Sequence, residues 1–231
     1  MNLQHELSQT DVMRKKIIQQ LNKRVSNNRI NVLDIGSNFI FTQLQELLKN
    51  KRINNVDFGY TPVDRKPAYA IFWEEVDDSK IIDKTVIKTD WIKRINSYCL
   101  TGEEDKFNPI DETEFYDSIN LENFNTDAYD FCKKNEKALK FDFIILSDIL
   151  HFIESKKADS IIEMCSNMLN KNGIILISVL NNIQTSYSRE NLYSNTQWEK
   201  IKNRFETIED NSTINKFYLI GKKKNTPLNK I

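Results

Sequence analysis

Several short apolar segments of this sequence end in side chains that could bind a ligand or take part in catalysis. If these segments are parallel strands, their carboxyl ends meet at one edge of a sheet, where open parallel sheets bind ligands. The residues expected at this edge are Asp34, Gly36, Asp64, Asp90, Ser147, Asp148 and His151. So many acids at one edge suit a locally cationic ligand, because carboxylates hold cations and hydroxyl groups through charge-assisted hydrogen bonds.

The turn after the first segment, Gly36-Ser37-Asn38, argues against two common phosphate sites. A dinucleotide site presents several glycines and a helix N-terminus to a pyrophosphate, which Asp34 would repel. The sequence contains neither the full Gly-x-Gly-x-x-Gly pattern nor a Gly-x-x-x-x-Gly-Lys-Ser/Thr loop. S-adenosylmethionine fits better, since it carries a sulfonium, an ammonium and a ribose diol but no phosphate.

Strand-like and helical segments alternate along the chain. Apolar residues recur every three or four positions in several stretches, which predicts amphipathic helices, including one at about 10–26 and one that follows Gly36. Short apolar runs between them predict buried strands at 30–35, 56–64, 85–90, 141–148 and 174–179. This alternation indicates right-handed crossovers and a doubly wound, mostly parallel α/β sheet with helices on both faces.

Two local features refine this sheet. Lys171-Asn172-Gly173 predicts a turn that leads into the strand beginning at Ile174. Near the end of the chain, 205–209 and 217–220 are both strand-like, and the polar turn between them is too short for a crossover helix. We therefore expect these two strands to form an antiparallel hairpin.

The composition restricts the class of protein. The chain has 231 residues, of which 39% are hydrophobic, and its 33 basic side chains balance 33 acidic ones. This length allows a full core, so we expect one domain over 1–231. No apolar run is long enough for a membrane span and no basic, apolar leader is visible, so we expect a cytoplasmic protein. A net charge of zero gives no support for a nucleic-acid partner.

Cysteine and charge are unevenly distributed. Three cysteines without a close pair in the sequence argue against a disulfide framework, and with only two histidines we expect no metal site. The interval 93–124 is rich in acids and is either a solvated insertion or a lid over the substrate. The end of the chain, 222–231, is basic and is expected to be a solubilising tail.

Three segments, in their order and spacing, resemble the motifs of one enzyme family. Residues 32–38 (VLDIGSN) resemble the first motif of the class I S-adenosylmethionine-dependent methyltransferases. Residues 141–153 look like the fourth-strand motif of that family, and 169–177 are similar to the segment entering its fifth strand. The resemblance covers about 10–223 and implies a Rossmann-like, seven-stranded sheet with a C-terminal antiparallel hairpin. It also implies methyl transfer from S-adenosylmethionine to a small-molecule acceptor.

The resemblance implies a role for each residue at the sheet edge. Asp34, Gly36 and Ser37 would contact the methionine part of the cofactor, and Asn38 would keep the turn because asparagine tolerates left-handed backbone. Asp64 would take the ribose hydroxyls, and Asp90 with Trp91 would border the adenine. Ser147 and Asp148 would face the methyl-transfer centre, where His151 or Asp148 would remove a proton if the acceptor needs it.

Purely structural roles are the alternatives for three of these residues. Asp64 could end its strand in a turn, Asp90 could cap the next helix, and His151 could simply be packed at a helix start.

The family usually has further glycines in the turn, where this chain has Asn38 and Ile40. A catalytically inactive binding or regulatory protein with the same fold is therefore the alternative function.

Two other enzyme classes remain as alternatives. A nicotinamide-dependent oxidoreductase would share the alternating strands, but Asp34 and the C-terminal hairpin count against it. A nucleic-acid methyltransferase is disfavoured because Ser147-Asp148-Ile149-Leu150 lacks the Asn/Asp-Pro-Pro-aromatic signature of amino-directed DNA methyltransferases.

Overall fold

The computed structural model describes residues 29–37, 47, 57–64, 126–180, 193–212 and 216–224. The predicted helix at 10–26, the strand at 85–90, the insertion at 93–124 and most of the basic tail lie outside these residues, as do Asn38, Asp90 and Trp91. By its contacts the chain divides into two compact units, and the second contains Asn31–Ser37, Thr61–Arg65 and Glu122–Ile231.

Six strands make up the sheet that the structure describes. They are β1 (Arg29–Ile35), β2 (Asp57–Val63), β3 (Phe141–Ser147), β4 (Leu169–Leu180), β5 (Phe205–Asp210) and β6 (Lys216–Lys223). Their spatial order is β2-β1-β3-β4-β6-β5. β3 pairs parallel with β1 and β4, whereas β6 pairs antiparallel with β4 and β5. The α/β class predicted from the sequence is confirmed for this part of the chain.

The first unit contributes the first residues of β1 and β2 to the described structure. Apart from Arg29, Asp57 and Gly59, its described residues are buried side chains, namely Ile30, Leu47, Phe58 and Tyr60. Buried and less buried residues alternate at 57–60, as expected for a strand.

Three α-helices and one 3₁₀ helix accompany the strands in the described ranges. They are α1 (Ala128–Asn135), the 3₁₀ helix (Leu150–Phe152), α2 (Ser155–Met168) and α3 (Asn195–Lys202). The carboxylate of Asp127 accepts a hydrogen bond from the Tyr129 N–H at 2.8 Å and so caps the start of α1. None of the helices described is long and apolar enough to cross a membrane.

α3 is held at its start and along its buried face. The Ser194 hydroxyl accepts from the Gln197 N–H at 3.2 Å, and the Gln197 side chain accepts from the Ser194 N–H at 2.9 Å, which is a capping box. Trp198 then stacks on Phe217 of β6, with 5.1 Å between ring centroids and 8° between the planes. These contacts fix α3 against β6.

The core is centred on β3 and β4. Phe143–Leu146 and 174–177 are at most 3% exposed, because strands in the middle of a parallel sheet are covered on both faces. α2 adds Ala158, Ile161 and Ile162, all fully buried, from one side of the helix. Burial of each such aliphatic side chain stabilises the fold by roughly 1.5–3 kcal/mol, so the core holds in place the strands whose ends carry the site.

The predicted turn at 171–173 falls inside β4, which begins at Leu169, directly after α2. The strand is irregular there: Leu169 pairs with Phe141, and the next pair along is Ile174 with Phe143. The carboxylate of Asp142 accepts from the Asn170 side chain at 2.7 Å and from the backbone N–H of Asn31 at 3.0 Å. Asp142 therefore ties the first residues of β4 to β3 and to β1.

Two cysteines that are distant in the sequence meet between α1 and α2. The Sγ atoms of Cys132 and Cys165 lie 3.9 Å apart, and both side chains are fully buried and unbridged. Burial raises the pKa of the Cys165 thiol well above its ordinary value, and the hydrogen bond with Cys132 acts in the same direction. At neutral pH Cys165 is therefore a protonated core side chain.

Candidate functional site

The turn after β1 requires glycine at position 36. Gly36 has φ = +77°, in the left-handed region that residues with a side chain rarely adopt. A Cβ at this position would lie 2.7 Å from Cβ and 2.9 Å from Cγ1 of Ile149. Backbone conformation and close packing thus both exclude a side chain here.

The same turn joins the ends of β1 and β2. The N–H of Gly36 donates to the Val63 carbonyl at 2.8 Å, and the N–H of Ser37 is directed at the same oxygen at 3.4 Å. The two strand ends therefore meet, which brings Asp34 and Asp64 to one edge of the sheet. Since both N–H groups are turned to a protein carbonyl, they do not form the amide cradle that a pyrophosphate needs.

Asp34 and Ser37 are polar but almost completely buried, each being 1% exposed. Within the described part of the chain, the Ser37 hydroxyl has no hydrogen-bond partner. A buried hydroxyl without a partner costs about 1–3 kcal/mol, and a polar ligand group beside it would remove that cost. Ser37 therefore fits the carboxylate or ammonium of an amino-acid-like ligand.

Three hydroxyl-bearing side chains lie side by side at the carboxyl ends of β3 and β4. Ser147 pairs with Ser178, and Ser178 pairs with Tyr218 of β6. Directly paired residues project on the same face, and the Oγ atoms of the two serines are 3.2 Å apart. Burial raises the pKa of the Tyr218 phenol, which keeps it protonated. We refer to Ser147, Ser178 and Tyr218 as the hydroxyl row.

Asp148, the residue after β3, is held by three contacts. Its N–H donates to the Ser178 carbonyl at 2.9 Å, and its Oδ1 accepts from the Ser178 hydroxyl at 3.0 Å. Its Oδ2 forms an ion pair with Nζ of Lys216 at 2.7 Å. The carboxylate that the sequence predicted as a possible proton acceptor is thus already engaged with a cation.

His151 lies three residues further along, in the 3₁₀ helix. The residue is 1% exposed, and its ring centroid is 4.1 Å from that of Phe152, with the planes at 45°. Phe152 itself is 47% exposed. The loop after β3 therefore carries two of the predicted residues, Asp148 with an ion-pair partner and His151 with its ring packed inside.

Comparison with known proteins gives a fold. No protein-family model matches the chain, and no curated protein sequence matches it. Among solved structures, TehB from Haemophilus influenzae is similar with a TM-score of 0.53 at 14% identity, over 90% of this chain and 61% of that one. Magnesium protoporphyrin IX methyltransferase (ChlM) from Synechocystis PCC 6803 with bound SAH gives 0.52 at 10%, over 92% and 82% of the two chains. N-methyltransferase NodS from Bradyrhizobium japonicum WM9 gives 0.50 at 12%, over 91% and 96%.

The chain has the class I methyltransferase fold. It spans only 61% of the length of TehB. In this methyltransferase fold the described sheet has six strands, and the seventh strand that the sequence predicts, at 85–90, lies outside the described residues. β5 and β6 pair antiparallel, and the connection at 213–215 between them also lies outside the description.

The methyltransferase fold brings most of the predicted site residues to one edge. Asp34, Gly36 and Ser37 follow or end β1, and Asp64 follows β2. Ser147 ends β3. Ile149, just beyond it, packs against Gly36 and so links the loop after β3 to the turn after β1. Among the residues that the structure describes, no cluster of three or more His, Cys, Asp or Glu side chains could hold a metal ion.

Sequence reasoning missed three residues of this edge, Ser178, Lys216 and Tyr218. Ser178 lies in the interior of a predicted strand and Lys216 directly precedes one, at 217–220. Their place at the edge depends on which strands are neighbours and in which register. Only the small, polar character of Ser178 in an otherwise apolar run was a local signal.

Proposed function

We propose that this protein transfers a methyl group from S-adenosylmethionine to a small-molecule acceptor. The observation that carries the proposal is the turn after β1, where glycine is required and the buried Ser37 hydroxyl lacks a partner among the described residues. The fold supports it, and so does the presence of SAH or SAM in the ChlM structures that the chain resembles.

The cofactor would be held along the ends of β1 and β2. Asp34 and Ser37 would pair with the ammonium and carboxylate of its methionine part, while Gly36 allows the left-handed backbone of the turn that presents them. Asp64 would accept hydrogen bonds from the ribose hydroxyls. By the resemblance, Asn38 would complete the turn and Asp90 with Trp91 would border the adenine. When bound, the cofactor supplies an electrophilic methyl group on a sulfonium.

The acceptor would lie beside the loop after β3. There Ser147, the least buried member of the hydroxyl row, could orient a small polar molecule, and orientation is a large part of catalysis in a direct displacement. His151 is the better candidate for removing a proton from the acceptor. The Asp148 carboxylate is already engaged by Lys216, which leaves it less available to the acceptor.

Calorimetry with S-adenosylmethionine and S-adenosylhomocysteine tests cofactor binding. We expect one defined site, and Asp64→Ala should weaken it about tenfold, because a hydrogen bond to a charged group contributes about 1.5 kcal/mol. Asp57→Ala is the matched control, since it removes a carboxylate from the first residue of the same strand. The absence of heat with wild-type protein at high micromolar ligand would refute the proposal.

A binding or regulatory protein with this fold is the second candidate. It is favoured by Gly36 being the only glycine in the turn and by the engagement of Asp148 with Lys216. Incubation with cofactor carrying an isotopically labelled methyl group and pools of small amines, phenols and acids would separate the two functions. Labelled product in mass spectrometry supports the enzyme, whereas cofactor binding without transfer to any pool supports the second candidate.

A further inference from the structure

We propose that Lys216 is a positioning residue for the cofactor turn, acting through Asp148 and Ile149. The inference rests on the proposed function in one respect, namely that the turn at Gly36 and Ser37 binds the cofactor. Lys216 starts β6 and is 68 residues from Asp148 in the sequence. Its role follows from three steps that lead from β6 to the turn after β1.

The first contact restrains an unusual backbone. Asp148 has φ = 55° and is the only residue other than glycine with a positive φ in the described ranges. Residues in such conformations persist where the surroundings hold them in place. Ser178 supplies two of the restraints, through its carbonyl and its hydroxyl, and the Lys216 ammonium supplies the third.

The second step is the shielding of this ion pair. The side chains of Lys216 and Asp148 are 18% and 33% exposed, so the pair is partly withdrawn from water. Lys216 is itself fixed, because its backbone pairs with the end of β4 in the antiparallel ladder. Removal of the ammonium would leave a partly buried carboxylate without its cation, and the carboxylate would then gain by turning towards solvent.

The third contact transmits such a shift to the cofactor turn. Ile149 follows Asp148 directly, and its Cβ lies 2.7 Å from the point where Gly36 would carry its own Cβ. At this packing distance, Ile149 cannot move inward without displacing Gly36. The neighbour of Gly36 is Ser37, whose buried hydroxyl would meet the cofactor. A continuous series of contacts thus runs from Lys216 through Asp148 and Ile149 to the turn; we refer to it as the path.

Binding of S-adenosylhomocysteine, measured by calorimetry, tests the path. Lys216→Met should raise the dissociation constant about tenfold, within the range by which residues without ligand contact modulate binding. Lys216→Arg keeps the charge and should stay within about threefold of the wild type. Lys222→Met is the matched control on an exposed position of the same strand and should leave affinity unchanged.

Two further variants separate positioning from simple destabilisation. Ile161→Val removes a methylene from the core on α2 and should lower the unfolding midpoint without changing affinity. Lys216→Met with Asp148→Asn should bind better than Lys216→Met alone, because asparagine also tolerates φ = 55° and leaves no unpaired charge. Wild-type affinity in Lys216→Met, or an equal loss of affinity in Ile161→Val, would overturn the inference.

Hydrogen exchange of the segment 29–37 tests the path without any ligand. The Gly36 N–H is protected by its hydrogen bond to Val63, so exchange in this segment reports on the turn. We expect faster exchange in Lys216→Met and wild-type exchange in Lys216→Arg. If the wild type binds no cofactor, the proposed function fails while this measurement still decides the inference. Unchanged exchange in Lys216→Met would overturn it.

Discussion

Gly36→Ala is the substitution that most directly probes the turn after β1. It adds one methyl group at a residue with φ = +77°. That methyl would lie 2.7 Å from Cβ, 2.9 Å from Cγ1 and 3.2 Å from Cδ1 of Ile149. The first of these neighbours is attached directly to the backbone of Ile149, so a change of side-chain rotamer cannot relieve the contact.

The expected loss of stability has two parts. Left-handed backbone costs an alanine roughly 1–2 kcal/mol relative to right-handed conformations. Overpacking of a buried site by one methyl group costs about 1–3 kcal/mol. We therefore expect Gly36→Ala to lower the free energy of unfolding by about 2–5 kcal/mol, which is a large fraction of the stability of an ordinary domain.

Urea unfolding of four proteins measures both parts: the wild type, Gly36→Ala, Ile149→Gly and the double variant. In the Ile149→Gly background all three side-chain contacts are gone, so only the backbone part should remain. The Gly36→Ala loss should then fall to about 1–2 kcal/mol. A loss below about 1 kcal/mol in the wild-type background, or an equal loss in both backgrounds, would contradict a steric clash with Ile149.

Four further predictions concern the frame around the site. Asp142→Ala should lower the free energy of unfolding by about 2–4 kcal/mol, because it leaves the Asn170 amide and a backbone N–H without their acceptor; Asp142→Asn, which keeps one acceptor, should lose less. Ser194→Ala should cost about 1 kcal/mol through loss of the capping box, with Ser194→Thr near wild type in the same urea titration. Iodoacetamide at pH 8 should leave Cys132 and Cys165 unmodified in the folded protein and label both in urea, as peptide mass spectrometry would show. Because the folded Cys165 thiol has a raised pKa, the free energy of unfolding should fall as the pH rises above the ordinary thiol pKa. Cys165→Ala should reduce that fall. Alkylation of either cysteine in the folded protein, or an unchanged fall in Cys165→Ala, would contradict the burial argument.

Local patterns in the sequence were sufficient to predict the class of fold and the turn after β1. The apolar runs of β3 and β4 predict buried strands because a strand covered on both faces needs no alternation. The turn at Gly36 follows a strand and breaks it, which places Asp34 and Ser37 at an edge. These features depend on a few consecutive residues, so their physical cause is present in the sequence itself.

Register and strand neighbours were not accessible in this way. The start of β4 at Leu169, ahead of the predicted turn at 171–173, was not predictable, because Asn170 is bonded to Asp142, a partner 28 residues away. The proximity of Cys132 and Cys165 likewise depends on how α1 packs against α2. No local propensity encodes either contact, since each requires two segments that are distant in the sequence to meet in space.

The amino-acid sequence alone predicts that acids, a glycine turn and a histidine follow the strands. What those side chains contact depends on the packing of strands that are distant in the sequence. β6 lies between β4 and β5, and this order brings Lys216 to Asp148 and Tyr218 to Ser178. The physical reason is that the ion pair and the hydroxyl row form across strands, so they exist only once the crossovers have set which strands are neighbours.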